Sequence, residues 1–197
     1  MSRTESTMAE LGSVAPPFEL QDVLSGKAIG RDDVAEMGAN HGLLVMFVCP
    51  HCPYVKHIEA ELGRIGADYF GKDGAGKIGI VAIMSNDLEE YPQDGPEAMR
   101  TQAATHGWNF PYLLDEMQEV AREYDAACTP DFFLYDADLK LAYRGQLDDS
   151  RPRRGDFGND TPVTGKDLRA AIDAVIAGKQ PATEQKTSIG CNIKWRQ

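Results

Sequence analysis

Val45–His57 reads VMFVCPHCPYVKH, an apolar run that ends in two cysteines, two prolines and two histidines. A redox dithiol, a soft-metal site and a peroxide-reactive thiol all use such residues, and a buried, inert corner could also hold them. Cys49 and Cys52 stand where the apolar run meets Pro53, and proline is tolerated in a helix only in its first turn. A helix therefore opens beside the cysteines, and its unpaired N–H groups and dipole stabilise a thiolate, the nucleophilic form. Cys52 falls on the same face of that first turn and can close a disulfide with Cys49 after a small adjustment. His51 lies between them; protonated, it stabilises the Cys49 anion, and Lys56 and His57 add positive potential one turn later. Such settings lower a cysteine pKa from about 8.5 to roughly 3.5–7.5. A CxxC at a strand–helix junction in an α/β chain reads as a redox motif, with two inert buried cysteines as the bland alternative.

Metal binding is the competing chemistry. Cys49, Cys52 and His57, with Cys128, offer soft and borderline ligands suited to Cu(I) or Zn(II). Against it, Pro50 and Pro53 restrict the loop, and no second CxxC or paired histidine completes a four-ligand set. A third alternative is a redox-switched binding module, which would react stoichiometrically and stop where an enzyme turns over. Dithiol exchange needs no cofactor.

The elements that must position the thiols can be read from pattern. Leu43–Val48 is a continuous apolar run, as expected for a central strand covered on both faces. Val55, Ile58, Leu62, Ile65 and Tyr69 recur at steps of three and four, which predicts the helix that follows. Lys77–Met84 is a second buried strand, Pro96–Thr105 a short helix within a polar insertion, Phe110–Leu114 a strand and Asp115–Ala127 a helix. Asp131–Tyr135 and Leu139–Arg144 pair as a hairpin through Asp136-Ala137-Asp138. Gln146–Val163 is an irregular charged loop, and Thr164-Gly165-Lys166-Asp167 resembles a capping box for a last helix ending near Gly178. Val14–Asp33, punctuated by Pro-Pro and Ser-Gly, reads as an N-terminal hairpin. The order predicts an α/β fold: a central mixed sheet flanked by helices, spanning residues 14–180. Residues 1–13 form a disordered tail in this reading, and 181–197 a C-terminal tail packed on the domain.

Composition narrows the function classes. The 197 residues carry 42% hydrophobic and 26% charged side chains, enough for one domain with a full core. A formal net charge of −11 argues against non-specific nucleic-acid binding and against docking on anionic membranes. The N-terminus has no apolar region of a secretory signal, and LLVMFV is far too short to span a bilayer, so a cytoplasmic protein is expected. Four cysteines in a reducing compartment point to catalysis or metal more than to structural disulfides.

Several stretches resemble the redoxin branch of thioredoxin-fold proteins, the group of thioredoxins, thiol-specific antioxidant proteins and their relatives. They are GSVAPPFEL at 12–20 with Asp22 and Gly26, the CPHC after its strand, NFPYLLDE at 109–116 and CTPDFFLYD at 128–136. CPHCPYVKH, YRGQLDDSRP at 143–152 and SIGCNIKW at 188–195 are similar, more narrowly, to a bacterial group of peroxiredoxin-like thioredoxin-family proteins. The resemblance implies a thioredoxin-like fold and a thiol–disulfide oxidoreductase. Cys49 would attack a disulfide and Cys52 resolve the mixed disulfide. His51 would tune the thiolate, while Thr129 and a cis Pro130 position the substrate beside Cys49. A disulfide-bearing protein or small molecule would be the substrate, and a second thiol the electron donor.

The chain also departs from these patterns. Val48 replaces the usual tryptophan, and Leu43–Val48 contains no buried acid to relay protons. Gly42 and Met46 stand where peroxiredoxins carry a proline and a threonine, so peroxidase chemistry is not expected. Cys128 and Cys191 are candidate auxiliary thiols. The 146–163 loop is expected to wall the substrate site, with Arg151, Arg153 or Arg154 meeting an anion.

Overall fold

Leu43–Phe47 (β4) carries five consecutive apolar residues, all of them buried. A strand can read this way only when both faces of its sheet are covered. In the computed structural model, which describes residues 3–39, 41–71, 76–153 and 158–197, that is its position. β4 lies between Gly79–Met84 (β5), to which it runs parallel, and Asp131–Tyr135 (β8), to which it runs antiparallel. Beyond β5 comes Tyr112–Leu114 (β6), parallel to it, then the hairpin of Glu19–Asp22 (β2) and Ala28–Gly30 (β3). Beyond β8 comes Leu141–Gly145 (β9), which completes a seven-stranded mixed sheet of order β3-β2-β6-β5-β4-β8-β9.

Successive β4 side chains enter different layers, as the period of a strand requires. Leu44 and Met46 pack with Ile58, Leu62 and Ile65 of Pro53–Ile65 (α2), Met99 of Pro96–His106 (α3), and Leu168 and Ile172 of Lys166–Ile176 (α5). Leu43, Val45 and Phe47 pack with Val34 of Arg31–Met37 (α1) and Val120 and Ala121 of Glu119–Glu123 (α4). Helix α2 buries its three-and-four-spaced stripe and starts with Pro53 in its first turn, immediately after Cys52.

A second, three-stranded sheet holds the tail. Ile189–Asn192 (β10) is its centre, pairing antiparallel with Arg3–Glu5 (β1) on one side and Cys128–Thr129 (β7) on the other. Residues 3–5 are thus a strand where composition suggests a disordered tail: their partner strand stands at the other end of the chain, with Arg3 opposite Cys191 and Glu5 opposite Ile189, and leaves no local mark.

Two helix starts also differ from expectation. The predicted Asp115–Ala127 helix shrinks to α4, because the Asp115 carboxylate accepts the N–H groups of Val120 and Ala121, at 3.4 and 2.9 Å, while Gln118 turns left-handed (φ 60°). Side-chain bonds of this kind compete with a helical start. The Thr164–Asp167 capping box does not form. Asp148 instead accepts the N–H groups of Thr164 and Gly165, each at 2.7 Å, just ahead of α5, and the Leu147 carbonyl accepts those of Asp167 and Leu168 in its first turn, each at 3.2 Å. Among the described residues no helix is long and apolar enough to cross a membrane.

Candidate active site

β4 ends at Phe47 and delivers Cys49 to the mouth of α2, with Cys52 at the position just before its first turn. All four cysteines are thiols and all are buried. Both sulfurs of the CxxC face the segment between β7 and β8, where the Thr129–Pro130 peptide is cis. Cys49 Sγ lies 3.4 Å from Thr129 Oγ1, and Cys52 Sγ lies 3.1 Å from the Thr129 carbonyl oxygen. Cys49, Cys52, Thr129 and Pro130 are therefore brought together as the resemblance implies.

His51 does more than the sequence indicates. Its ring Nδ1 is 3.9 Å from Cys49 Sγ and hydrogen-bonds Asp94, while its backbone N–H donates to the same carboxylate at 2.9 Å. Asp94 is fully buried and also accepts from Asn86 Nδ2 at 2.8 Å. Tyr91 stacks on the imidazole, 5.6 Å between ring centres. Asp94, Asn86 and Tyr91 were invisible to motif reading. They belong to the polar insertion after β5, and only the flanking Pro92, Gly95 and Pro96 hint at a tight turn there.

This surrounding redistributes charge. The Cys52 sulfur accepts the proton of Cys49, which, with burial and the nearby Asp94 carboxylate, pushes the Cys49 thiol well above its ordinary value. Burial opposes charge at Cys52 too, but hydrogen bonds from Cys191, Cys49 and Thr129 and from the Val55 N–H outweigh it and bring that thiol down. The two sulfurs titrate as one coupled unit. His57 does not supply the expected positive potential. Burial lowers its pKa, and Asp148 and Arg151 beside it act in opposite directions.

Metal ligation takes a different form from the one the sequence suggests. Among the described residues, the ligand atoms that gather within 4.8 Å are those of Cys49, His51 and Asp94. His57 is not in that set: it lines a narrow cleft of about 20 Å³ with Tyr54, Pro130, Gln146, Arg151 and Ile189. The cleft has room for about one water. The 146–152 segment therefore does reach the cis-proline side of the site, although it leaves no open groove there. A larger groove of about 690 Å³ touches the motif only through Pro50 and runs along α3.

Of the three arginines, Arg151 is consumed by its own loop, donating to the carbonyls of Asp148 and Ser150 and to Gln146 Oε1 at 2.5–2.7 Å. Arg153 pairs with Asp160 on the surface. Neither is an open anion contact, and Arg154 lies outside the described residues.

The two remaining thiols separate clearly. Cys128 Sγ points to the Pro130 carbonyl at 3.5 Å, and burial, Asp131 and Cys52 keep it protonated. Cys191 sits opposite Thr129 in the β10–β7 register and shares a buried cluster with Cys52, whose Sγ lies 3.1 Å from the Thr129 carbonyl oxygen. Gly190 permits this approach: a Cβ there would stand 2.0 Å from the Thr129 oxygen.

A mixed sheet clad by helices, with a dithiol set against a cis-proline turn, defines a thioredoxin-fold redoxin. Residues 11–144 match the AhpC/TSA family, and the chain belongs to that family. An uncharacterized conserved protein from Geobacillus kaustophilus is 50% identical, with TM-score 0.88, the match covering 100% of this chain and 97% of that one. A hypothetical protein from Sinorhizobium meliloti 1021 is 44% identical over 98% of each chain, with TM-score 0.87. The thioredoxin domain of a thiol-disulfide oxidoreductase from Bacteroides vulgatus is 21% identical, covering 69% of this chain and 88% of that one. Its TM-score of 0.52 makes it a likeness of fold. No curated protein matches the chain.

Proposed function

We propose that this protein is a thiol–disulfide oxidoreductase whose Cys49–Cys52 dithiol exchanges with a disulfide on a protein or a small thiol. The observation that supports it best is the contact of two hydrogen-bonded sulfurs with both the hydroxyl and the carbonyl of Thr129. Cys49 gives up its proton and attacks one sulfur of the substrate disulfide; the substrate S–S bond breaks, and the other sulfur leaves and takes up the proton as a thiol, which leaves a mixed disulfide on Cys49. Cys52 then displaces the substrate thiol, leaving Cys49–Cys52 oxidised. His51, whose Nδ1–H is held by the Asp94 carboxylate, is the polar ring set beside Cys49 as the mixed disulfide forms. Only 1% of Cys49 is exposed, so exchange requires the covering segments to part. A second thiol supplies the electrons for the next turnover, and no cofactor enters.

A second reading is supported by the convergence of Cys49, His51 and Asp94, a sulfur–nitrogen–oxygen set that suits Zn(II). One experiment separates the two. The purified protein is equilibrated with reduced and oxidised glutathione, the thiols are trapped by alkylation and mapped by mass, and bound metal is quantified on the same sample. A reversible two-electron Cys49–Cys52 couple without metal supports the oxidoreductase, and repeated turnover of a disulfide substrate distinguishes it from a switch that reacts once. Stoichiometric zinc or copper with thiols protected until chelation supports metal handling. A hydrogen peroxide arm tests the expectation that peroxide is not the substrate, and rapid catalytic consumption of peroxide refutes it.

A further inference from the structure

β10 is fixed on the dithiol by several contacts. Cys191 and Asn192 pair with Thr129 and Cys128, and Ser188 Oγ donates to the Pro130 carbonyl at 2.6 Å. Gly190 lies so close to the Thr129 carbonyl that no side chain fits between them. On the other side of β10, β1 holds the strand with Arg3 opposite Cys191. The result is a third sulfur-bearing residue, 3% exposed, in the same buried cluster as Cys49 and Cys52 and paired with Thr129, whose carbonyl oxygen lies 3.1 Å from Cys52 Sγ. Burial explains a cysteine in a core, but it does not explain three sulfurs in sequence across one backbone segment. Cys128, equally buried and next to Thr129 in sequence, turns its sulfur to Pro130 instead.

We infer that Cys191 is a third redox thiol of the site and that the oxidised centre passes between a Cys49–Cys52 and a Cys52–Cys191 disulfide. This rests on the dithiol-exchange reading, which supplies the first oxidation from a substrate disulfide. In the step itself the Cys191 sulfur gives up its proton and attacks Cys52 Sγ. The Cys49–Cys52 bond breaks, Cys49 leaves as a thiolate and takes up the proton, and the Cys52–Cys191 bond forms. One disulfide replaces another, so no outside oxidant or reductant is consumed. The exchange returns Cys49 as a thiol while the chain stays oxidised, and it ties the tail covalently to the mouth of α2.

The test is a glutathione titration of the wild-type, Cys49→Ser and Cys191→Ser proteins, with alkylation and peptide mapping of every cysteine. In partly oxidised wild-type protein, a Cys52–Cys191 linked peptide is expected beside the Cys49–Cys52 one. In Cys49→Ser, Cys52 and Cys191 are expected to leave the alkylated pool together. In Cys191→Ser the Cys49–Cys52 couple persists and the tail-linked species is lost. Wild-type protein that forms Cys49–Cys52 and never Cys52–Cys191 overturns this inference and leaves the dithiol reading standing. So does a Cys49→Ser protein whose Cys52 carries glutathione while Cys191 stays alkylatable. Wild-type protein that forms neither bond overturns both readings. The wild-type arm does not depend on the folding of any variant.

Discussion

His51 Nδ1 bridges the buried Asp94 carboxylate and Cys49, 3.9 Å from the sulfur. The imidazole is therefore held by an anion that itself acts on the thiol it serves. Asp94 orients the ring, and its charge raises Cys49. Cys49 is kept as a thiol until its proton has somewhere to go.

Replacing Asp94 by Asn removes that charge and keeps the side chain's size. The Cys49 alkylation profile is expected to move to lower pH, with the rate at neutral pH rising up to about tenfold for each unit the thiol falls. The amide also meets Asn86 Nδ2, so a stability loss of about 1–3 kcal/mol accompanies it. Stopped alkylation with peptide mapping, run against pH, checks this. An unchanged profile removes Asp94 from the electrostatics of Cys49.

Asp131 gives a pH dependence of stability. It is wholly buried, and burial outweighs the N–H groups of Ala127 and Phe132 and pushes its carboxyl up to about 8, against 3.8 in an unfolded chain. Between those values the folded protein keeps a proton that the unfolded chain has lost. The group's contribution is therefore fully present below about 3.8, declines as pH rises through the window and levels off above about 8. Asp131→Asn should gain on wild type across that window, by at most about 1.4 kcal/mol per pH unit. Urea unfolding at several pH values reads the slope; parallel curves for the two proteins refute it.

Gly190→Ala places a methyl group where the Thr129 oxygen already stands. The strand must shift, at a cost of about 1–3 kcal/mol as for other overpacked sites. Thermal unfolding should report the loss, and alkylation of Cys49 and Cys52 in the native protein should accelerate as the tail lifts. Equal thiol protection in the variant means that β10 does not control access.

Asp148 joins the loop to α5. Burial raises its carboxyl, but bonds from Ser150, Thr164 and Gly165 more than compensate and hold it below the usual carboxylate range. Asp148→Ala should cost about 1–3 kcal/mol at neutral pH, in line with N–H groups left without their acceptor. Because the folded pKa is depressed, the difference from wild type should be present above the unfolded value and shrink as pH falls through the folded one. Denaturation at neutral and acid pH tests both.

The main sheet was legible because its signals are local. The LLVMF run, the Pro53 start of α2 and the hairpin across Asp136–Asp138 each lie within a single window. The CPHC pair was legible for the same reason, and the resemblance supplied Thr129 and Pro130. The rest of the site was not, because it is assembled across distance. Asp94 meets His51 from 43 positions away, and Asp148 holds the Gly165 N–H, 17 positions on, at the entry to α5. The buried acid that holds His51, Asp94, lies in a turn of the insertion, where spacing rules have no purchase. Cys191 was visible as a cysteine, but its neighbour Cys52 is set by strand register.

The two-residue length of β7 has a further consequence. With β10 in place, the Cys128–Thr129 backbone is paired on the side facing the tail. Were β10 to lift, an unpaired strand edge would be bared beside the sulfurs, a template for joining other chains. An edge of two residues, ended at once by Pro130, offers little for another copy to grip. Any exposure of β7 would therefore give a crowded solution few backbone groups on which to aggregate.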